Sequence, residues 1–226
     1  MPAIRQFNAK DVENLLNNNA NHLGERNAAL IMSGVGWGLN PLEMCQVSTK
    51  NLISESGELY RIWVLPEHNS YNGEAREIRT ENNLLPFFES YIDLRIRKKW
   101  GLSNLHSYKG LDPESKFLLN DYGRPYKLTK THNKDTGKTS YQARSMNEQL
   151  KRIISRTNIV DAKPSSFRDS YIKALYDEGA GWEELKLATG LKNKKTLERK
   201  IRPEVKEMED VYKSLFRGVK LPKFIT

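Results

Sequence analysis

Apolar positions recur at helical spacing from the start of the chain. In DVENLLNNNANHL, Val12, Leu15, Leu16 and Leu23 fall on one side. ERNAALIMSGVGWGL continues with Ala28, Leu30, Ile31 and Met32 before glycines and Asn40-Pro41 end the run. This predicts two packed helices, over 11–23 and 25–39. The period then shortens: ELYRIWVLP alternates through Leu59, Arg61, Trp63 and Leu65, and AREIRT supplies a second short strand. Asn72-Gly73 lies between them and tolerates the positive φ of a tight hairpin turn. Helical spacing returns in NNLLPFFESYIDLRIRKKWG through Leu84, Phe88, Ile92 and Ile96, and stops at basic residues and Gly101.

Beyond the HSYKGLDPESK loop lies KLTKTHNKDTGKTS, polar and basic, which the pattern predicts to be mobile. A helix follows in YQARSMNEQLKRIISRT, with Met146, Leu150, Ile153 and Ile154 inward and Arg144, Lys151, Arg152 and Arg156 outward. SSFRDSYIKALYDEG, WEELKLAT, KKTLERKI and PEVKEMEDVYKSLF are all helical in pattern, separated by Gly179, Gly190 and Pro203. The fold class is therefore α+β and mainly helical, with a small antiparallel sheet. One domain is expected over 1–202. A C-terminal helix and tail over 203–226 would pack in cis or on a partner, with Val205, Met208, Val211, Tyr212 and Leu215 along one stripe.

With 226 residues, 38% of them hydrophobic, the chain can bury a real core. No apolar run reaches the roughly 18 to 20 residues that span a bilayer, and MPAIRQFNAK lacks the apolar stretch of a secretion signal. A soluble protein of the cytoplasm is expected. Cys45 is the single cysteine, and His22, His68, His106 and His132 have no zinc-ligand spacing, so neither metal nor cofactor is expected. Gly34, Gly36 and Gly38 follow no strand and precede no Gly-Lys-Ser/Thr, which argues against a nucleotide loop. Charge changes the picture more: 37 Lys and Arg against 28 Asp and Glu leave +9. The excess is concentrated from Arg124 to Arg156, opposed only by Asp135 and Glu148, and again in ATGLKNKKTLERKIR, opposed only by Glu198. Two such patches suggest a polyanion partner.

Taken alone, WEELKLATGLKNKKTLERKI has the form of a helix-turn-helix. The longer window PSSFRDSYIKALYDEGAGWEELKLATGLKNKKTLERK resembles the C-terminal catalytic segment of the tyrosine recombinases, or phage integrases. Arg168 matches the arginine of that family's His-x-x-Arg motif, Thr189-Gly190 its Leu-Gly step, and Lys200 the seat of its tyrosine nucleophile. Upstream, GLNPLEM is similar to the family's Gly-Leu-Arg-x-x-Glu-Leu box, with Glu43 retained and Asn40 in place of arginine. The resemblance extends over 12–200 and implies the recombinase catalytic-domain fold.

It also implies degenerate chemistry. Ser165 replaces the motif histidine, Leu191 the His or Trp after Leu-Gly, and the hairpin lysine falls near Tyr71; of the family's catalytic positions only Arg168 keeps its type. Strand transfer in this family needs cations on a five-coordinate phosphorane, and one lost preorganised donor costs about 3 to 4 kcal/mol. An ammonium in place of the phenol leaves no covalent route there. No recombinase activity is expected. Binding makes a lesser demand, and the resemblance implies double-stranded DNA as partner. Arg168, Lys192, Lys194, Lys195, Arg199 and Lys200 would meet phosphates, and Gln142, Arg144, Asn147 and Lys151, at the start of the family's groove-entering helix, would read bases. In a purely structural role Arg168 would instead pair with Glu43 or Asp169. The function that follows is a sequence-specific phage or mobile-element repressor, as in lysogeny control, inside a bacterial host. The alternatives are an active recombinase with a displaced nucleophile, Tyr212, Tyr171 or Ser165, and an accessory factor that associates with itself or a recombinase through the C-terminal helix.

Overall fold

The structure, a computed structural model, describes residues 5–132, 137 and 139–201. Helices α1 (Ala9–Asn18) and α2 (Gly24–Val35) open the chain, followed by the short α3 (Pro41–Met44) and α4 (Thr49–Leu52). Strands β1 (Ile62–Leu65) and β2 (Arg76–Arg79) precede α5 (Leu85–Arg97). A second pair, β3 (Thr129–His132) and β4 (Thr139–Gln142), leads into α6 (Arg144–Ser155), α7 (Pro164–Asp177), α8 (Trp182–Thr189) and α9 (Lys194–Ile201). The expected helix over 203–216, with Tyr212, lies outside the described residues. Among the described residues, no helix is long and apolar enough to cross a membrane.

The first two helices are shorter than their apolar periods suggested. α1 stops at Asn18 because the side chain of buried Asn19 bonds instead: its Nδ2 donates to the carbonyls of Leu15 at 2.9 Å and Ile153 at 3.0 Å, tying the end of α1 to α6. α2 stops at Val35, and the chain reverses through Gly38 at φ +63, where a Cβ would come within 2.3 Å of the Tyr171 ring. Within α2, a Cβ on Gly34 would lie 2.5 Å from that of Phe167, so α2 and α7 approach as closely as they do only over a glycine.

The core lies between α2, α5 and the β1–β2 hairpin. Trp37 stacks on Phe88 with ring centroids 3.7 Å apart and meets Trp63 edge-on at 5.3 Å. Arg95 of α5 is fully buried and bonds to neutral acceptors, the hydroxyls of Thr49 (3.2 Å) and Ser115 (2.9 Å) and the carbonyl of Phe117 (3.3 Å), which ties the loop after α5 to α4. A smaller apolar cluster, Ile172, Leu185, Leu191 and Leu197, joins α7, α8 and α9. α8 ends at Gly190 in the left-handed region, φ +69, as a glycine stop requires.

Both sheets among the described residues are antiparallel pairs. β1 and β2 register Ile62 with Arg79 through Leu65 with Arg76, but they are not joined by a tight Asn-Gly turn. A wide loop over 66–75 connects them, because Asn69 and Ser70 turn inward and are buried, which prevents the strands from running on to the turn. Gly73 does take positive φ, +71, at the tip of this loop. The interval expected to be mobile is also partly ordered: Thr129 pairs with Gln142 and His132 with Thr139 in a β3–β4 ladder. Alternating Thr, Ser and Tyr supply the strand preference there. Tyr141 and Gln142 thus belong to β4, and the helix starts only at Arg144.

Candidate functional site

The site is assembled around Glu43, a fully buried carboxylate on α3. Asn40 caps that helix: its Oδ1 accepts from the amides of Leu42 (2.9 Å) and Glu43 (3.0 Å), while Glu43 Oε2 accepts from the amide of Asn40 (3.0 Å). Asn40, which the sequence resemblance set against a motif arginine, is thus engaged in holding a helix end. The cation beside Glu43 comes from elsewhere. Arg76, inward-facing at the start of β2, forms a bidentate pair with Glu43 at 2.6 and 2.7 Å, and both side chains are almost wholly buried. Sequence reasoning missed Arg76; its signal was an arginine in phase with buried Ile78 on an alternating strand.

Glu43 also accepts from the backbone amide of Tyr71 at 3.3 Å, which sets the tip of the 66–75 loop against α7. There the Tyr71 ring lies 4.5 Å from the guanidinium carbon of Arg168 in cation–π contact. Arg168 is only 8% exposed and donates to the carbonyl of Thr189. It pairs with neither carboxylate expected for a structural arginine: Glu43 is taken by Arg76 and Asp169 by Lys200. Among the described residues Arg168 has no carboxylate partner, and its Nε is buried without a hydrogen bond.

The loop tip reaches on to the α8–α9 turn. Tyr71 Oη and Asn72 Nδ2 donate to one acceptor, the Gly190 carbonyl, at 2.9 and 2.8 Å, and Glu74 pairs with Lys192 at 2.8 Å. Leu191, between those two anchors, turns the other way into the cluster under α7 because its side chain is apolar. Lys200 projects from α9 onto Asp169, which is 2% exposed. At Lys200, the position that the sequence resemblance set against the nucleophile, there is thus an ammonium neutralised by a buried carboxylate. Ser165 is half-buried near the start of α7. Tyr171 on the same helix has its phenol pushed above the usual value by burial, with Arg76 opposing the shift.

Asn40, Glu43, Arg76, Tyr71 and Arg168 are therefore connected through one chain of contacts, while Lys200 and Asp169, the neighbour of Arg168 on α7, form a separate pair. The predicted DNA-contacting residues divide differently. Lys194, Lys195 and Arg199 are exposed along α9, and Lys192 is exposed beside its Glu74 partner. Arg168 and Lys200 are the exceptions, enclosed by the contacts above. Gln142 and Arg144 are exposed at the junction of β4 and α6, where Arg144 Nε donates to Gln142 Oε1 at 3.2 Å. That bond engages Nε of the arginine at the surface. Asn147 is half-buried, and Lys151 is exposed and paired with Glu148 at 2.7 Å. Gln142 was expected at the start of a helix; it is the last residue of a strand, so its side chain is set by the ribbon and not by α6.

No protein-family model matches the chain, and no curated protein is similar to it. Solved structures do match. The XerA recombinase superposes with a TM-score of 0.64 at 11% identity, over 94% of this chain and 63% of that one. The architecture is the tyrosine-recombinase catalytic-domain fold. The Tn1549 transposon integrase in complex with a circular intermediate DNA gives 0.61 at 14% identity, over 95% of this chain and 67% of that chain. XerH recombinase bound to a palindromic difH substrate gives 0.58 at 13%, over 94% and 52%. This chain thus spans between about half and two thirds of these recombinases' own length.

Proposed function

We propose that this protein binds double-stranded DNA in a sequence-specific manner without cutting it. The observation that carries the proposal is the division within the site. The positions that correspond to recombinase chemistry are engaged in cohesion: Asn40 caps a helix, Leu191 fills a core, and Lys200 neutralises Asp169. The cations Lys194, Lys195 and Arg199 remain outward on the same side of the fold's α9. Such a surface neutralises phosphates and supplies no nucleophile. Two of the three similar structures named above are complexes with DNA, which supports the choice of polyanion. The raised pKa of Tyr171 disfavours its phenolate and so weighs against a displaced nucleophile there.

Base reading is assigned to Gln142 and Arg144, with Asn147 and Lys151 next along α6. A guanidinium held by a neighbouring amide presents its remaining donors to guanine O6 and N7 with little further ordering. The biological role proposed is that of a phage or mobile-element repressor in the cytoplasm of a bacterial host, a recombinase scaffold whose grip persists after its chemistry is lost. The test is duplex binding by fluorescence anisotropy across salt concentrations. Lys194→Glu with Lys195→Glu should weaken binding to all sequences and flatten the plot of log affinity against log salt by about two units, about one per lost phosphate contact. Unchanged affinity and slope in that variant would show that α9 is not the contact surface. Binding beside promoters rather than attachment sites in a genome-wide map would support the repressor role.

A further inference from the structure

We infer that the tip of the 66–75 loop is an autoinhibitory latch, closed over Arg168 and paired with exposed Lys192, which must swing away before a duplex phosphate reaches Arg168. The inference rests on the duplex-binding reading and adds its regulation. Three side chains close together in sequence hold the latch shut. Tyr71 covers Arg168 with its ring and bonds the Gly190 carbonyl, Asn72 bonds the same carbonyl, and Glu74 neutralises Lys192. Arg168 in this state is a buried guanidinium with one backbone acceptor, one aromatic face and a buried Nε without a hydrogen-bond partner among the described residues. A π face is a weak substitute for an anion at such a position.

The base and tip of the loop differ in the way a hinged element requires. Asn69, Ser70 and Arg76 are buried and stay with the core. Tyr71 is 39% exposed, Glu74 is exposed, and nothing lies within 4 Å of the place where a Cβ on Gly73 would stand. The tip can therefore leave with β1, β2 and the Glu43–Arg76 pair in place, at the cost of the long 3.3 Å bond from the Tyr71 amide to Glu43. Its departure exposes Arg168 and frees Lys192 together, so a phosphate replaces a ring and a carboxylate in one step. The cost of opening subtracts from the affinity of the closed protein for DNA, as in any equilibrium whose binding-competent state is in the minority.

The test compares the wild type with Tyr71→Ala, Glu74→Gln, Arg168→Ala and Tyr71→Ala/Arg168→Ala, by duplex anisotropy at two salt concentrations. Thermal unfolding serves as the check that each variant is folded. Tyr71→Ala should tighten binding about five- to tenfold, the equilibrium equivalent of one cation–π contact and one hydrogen bond. Glu74→Gln should tighten it less, and the gain from Tyr71→Ala should vanish when Arg168 is also alanine. Amide hydrogen exchange across 71–75 should speed up when duplex is added to the wild type. If the wild type binds while Tyr71→Ala binds equally or more weakly, with the loop protected by DNA, the latch is wrong and the loop is itself a DNA contact. If neither protein binds any duplex, the DNA reading fails and the latch with it. Binding by Tyr71→Ala alone would establish both.

Discussion

Replacing Arg76 with methionine tests whether the site's architecture rests on the buried Arg76–Glu43 pair. Methionine approximates the length of the aliphatic stem, so packing against β1 is largely kept, while both charged hydrogen bonds to Glu43, at 2.6 and 2.7 Å, are lost. Glu43 is fully buried and would remain as a carboxylate with only the amides of Asn40 and Tyr71 at 3.0 and 3.3 Å. Breaking one partner of a buried pair costs about 3 to 5 kcal/mol, and the two remaining amides place the expected loss near the lower end. For a chain of this size about 3 kcal/mol corresponds to a fall of about 6 to 12 °C in the unfolding midpoint. The double variant Glu43→Gln/Arg76→Met removes both charges and keeps an acceptor for one of the two amides, so it should recover part of the loss. Urea unfolding of the wild type, both single variants and the double variant, followed by circular dichroism, measures the coupling. If Arg76→Met lies within 1 kcal/mol of the wild type, or the double variant loses the full sum of the singles, the pair is not the anchor described.

The proposed base reading predicts that Arg144→Ala relaxes preference among duplex sequences with little change in salt slope, the opposite of the α9 double variant; competition against scrambled duplex reads this out. Burial pushes the Cys45 thiol up to about 12, with Lys116 opposing, and this has a pH consequence. A group whose pKa is higher folded than unfolded stabilises the fold fully below its unfolded value and loses that contribution as pH rises toward the folded one. Between pH 8 and 10.5, wild-type stability in urea should therefore fall by about 2 kcal/mol more than that of Cys45→Ala. Equal falls would mean that the thiol is not shielded.

The helices around the core were legible because each carries its own apolar period; α5 and α6 bury Phe88, Ile92, Met146, Leu150 and Ile153, as their spacing requires. Glycine stops were equally plain at Gly190, where a left-handed residue ends α8. What escaped was structure fixed by partners distant in sequence. The end of α1 depends on a bond from Asn19 to Ile153, and the wide loop after β1 depends on burial of Asn69 and Ser70. The β3–β4 ribbon escaped because both faces are polar, so no alternation of apolar residues announced it.

The candidate site shows the same division. Motif spacing singled out Asn40, Arg168 and Lys200; Asn40 and Arg168 share one network of contacts through Glu43 and Tyr71, and Lys200 lies in a separate pair with Asp169. The identity of their partners was not legible: Asp169 holds Lys200 rather than Arg168, and Glu43 holds Arg76, an arginine outside every matched motif. Charge pairing among several acids and bases is decided by tertiary placement, which a linear motif does not encode.

The decisive measurement uses a duplex carrying the protein's selected site and a nick that traps any covalent intermediate, run in parallel on native and denaturing gels. The account predicts a retarded band on the native gel and free DNA under denaturing conditions. A protein–DNA adduct that survives denaturation would show a working nucleophile and contradict the account.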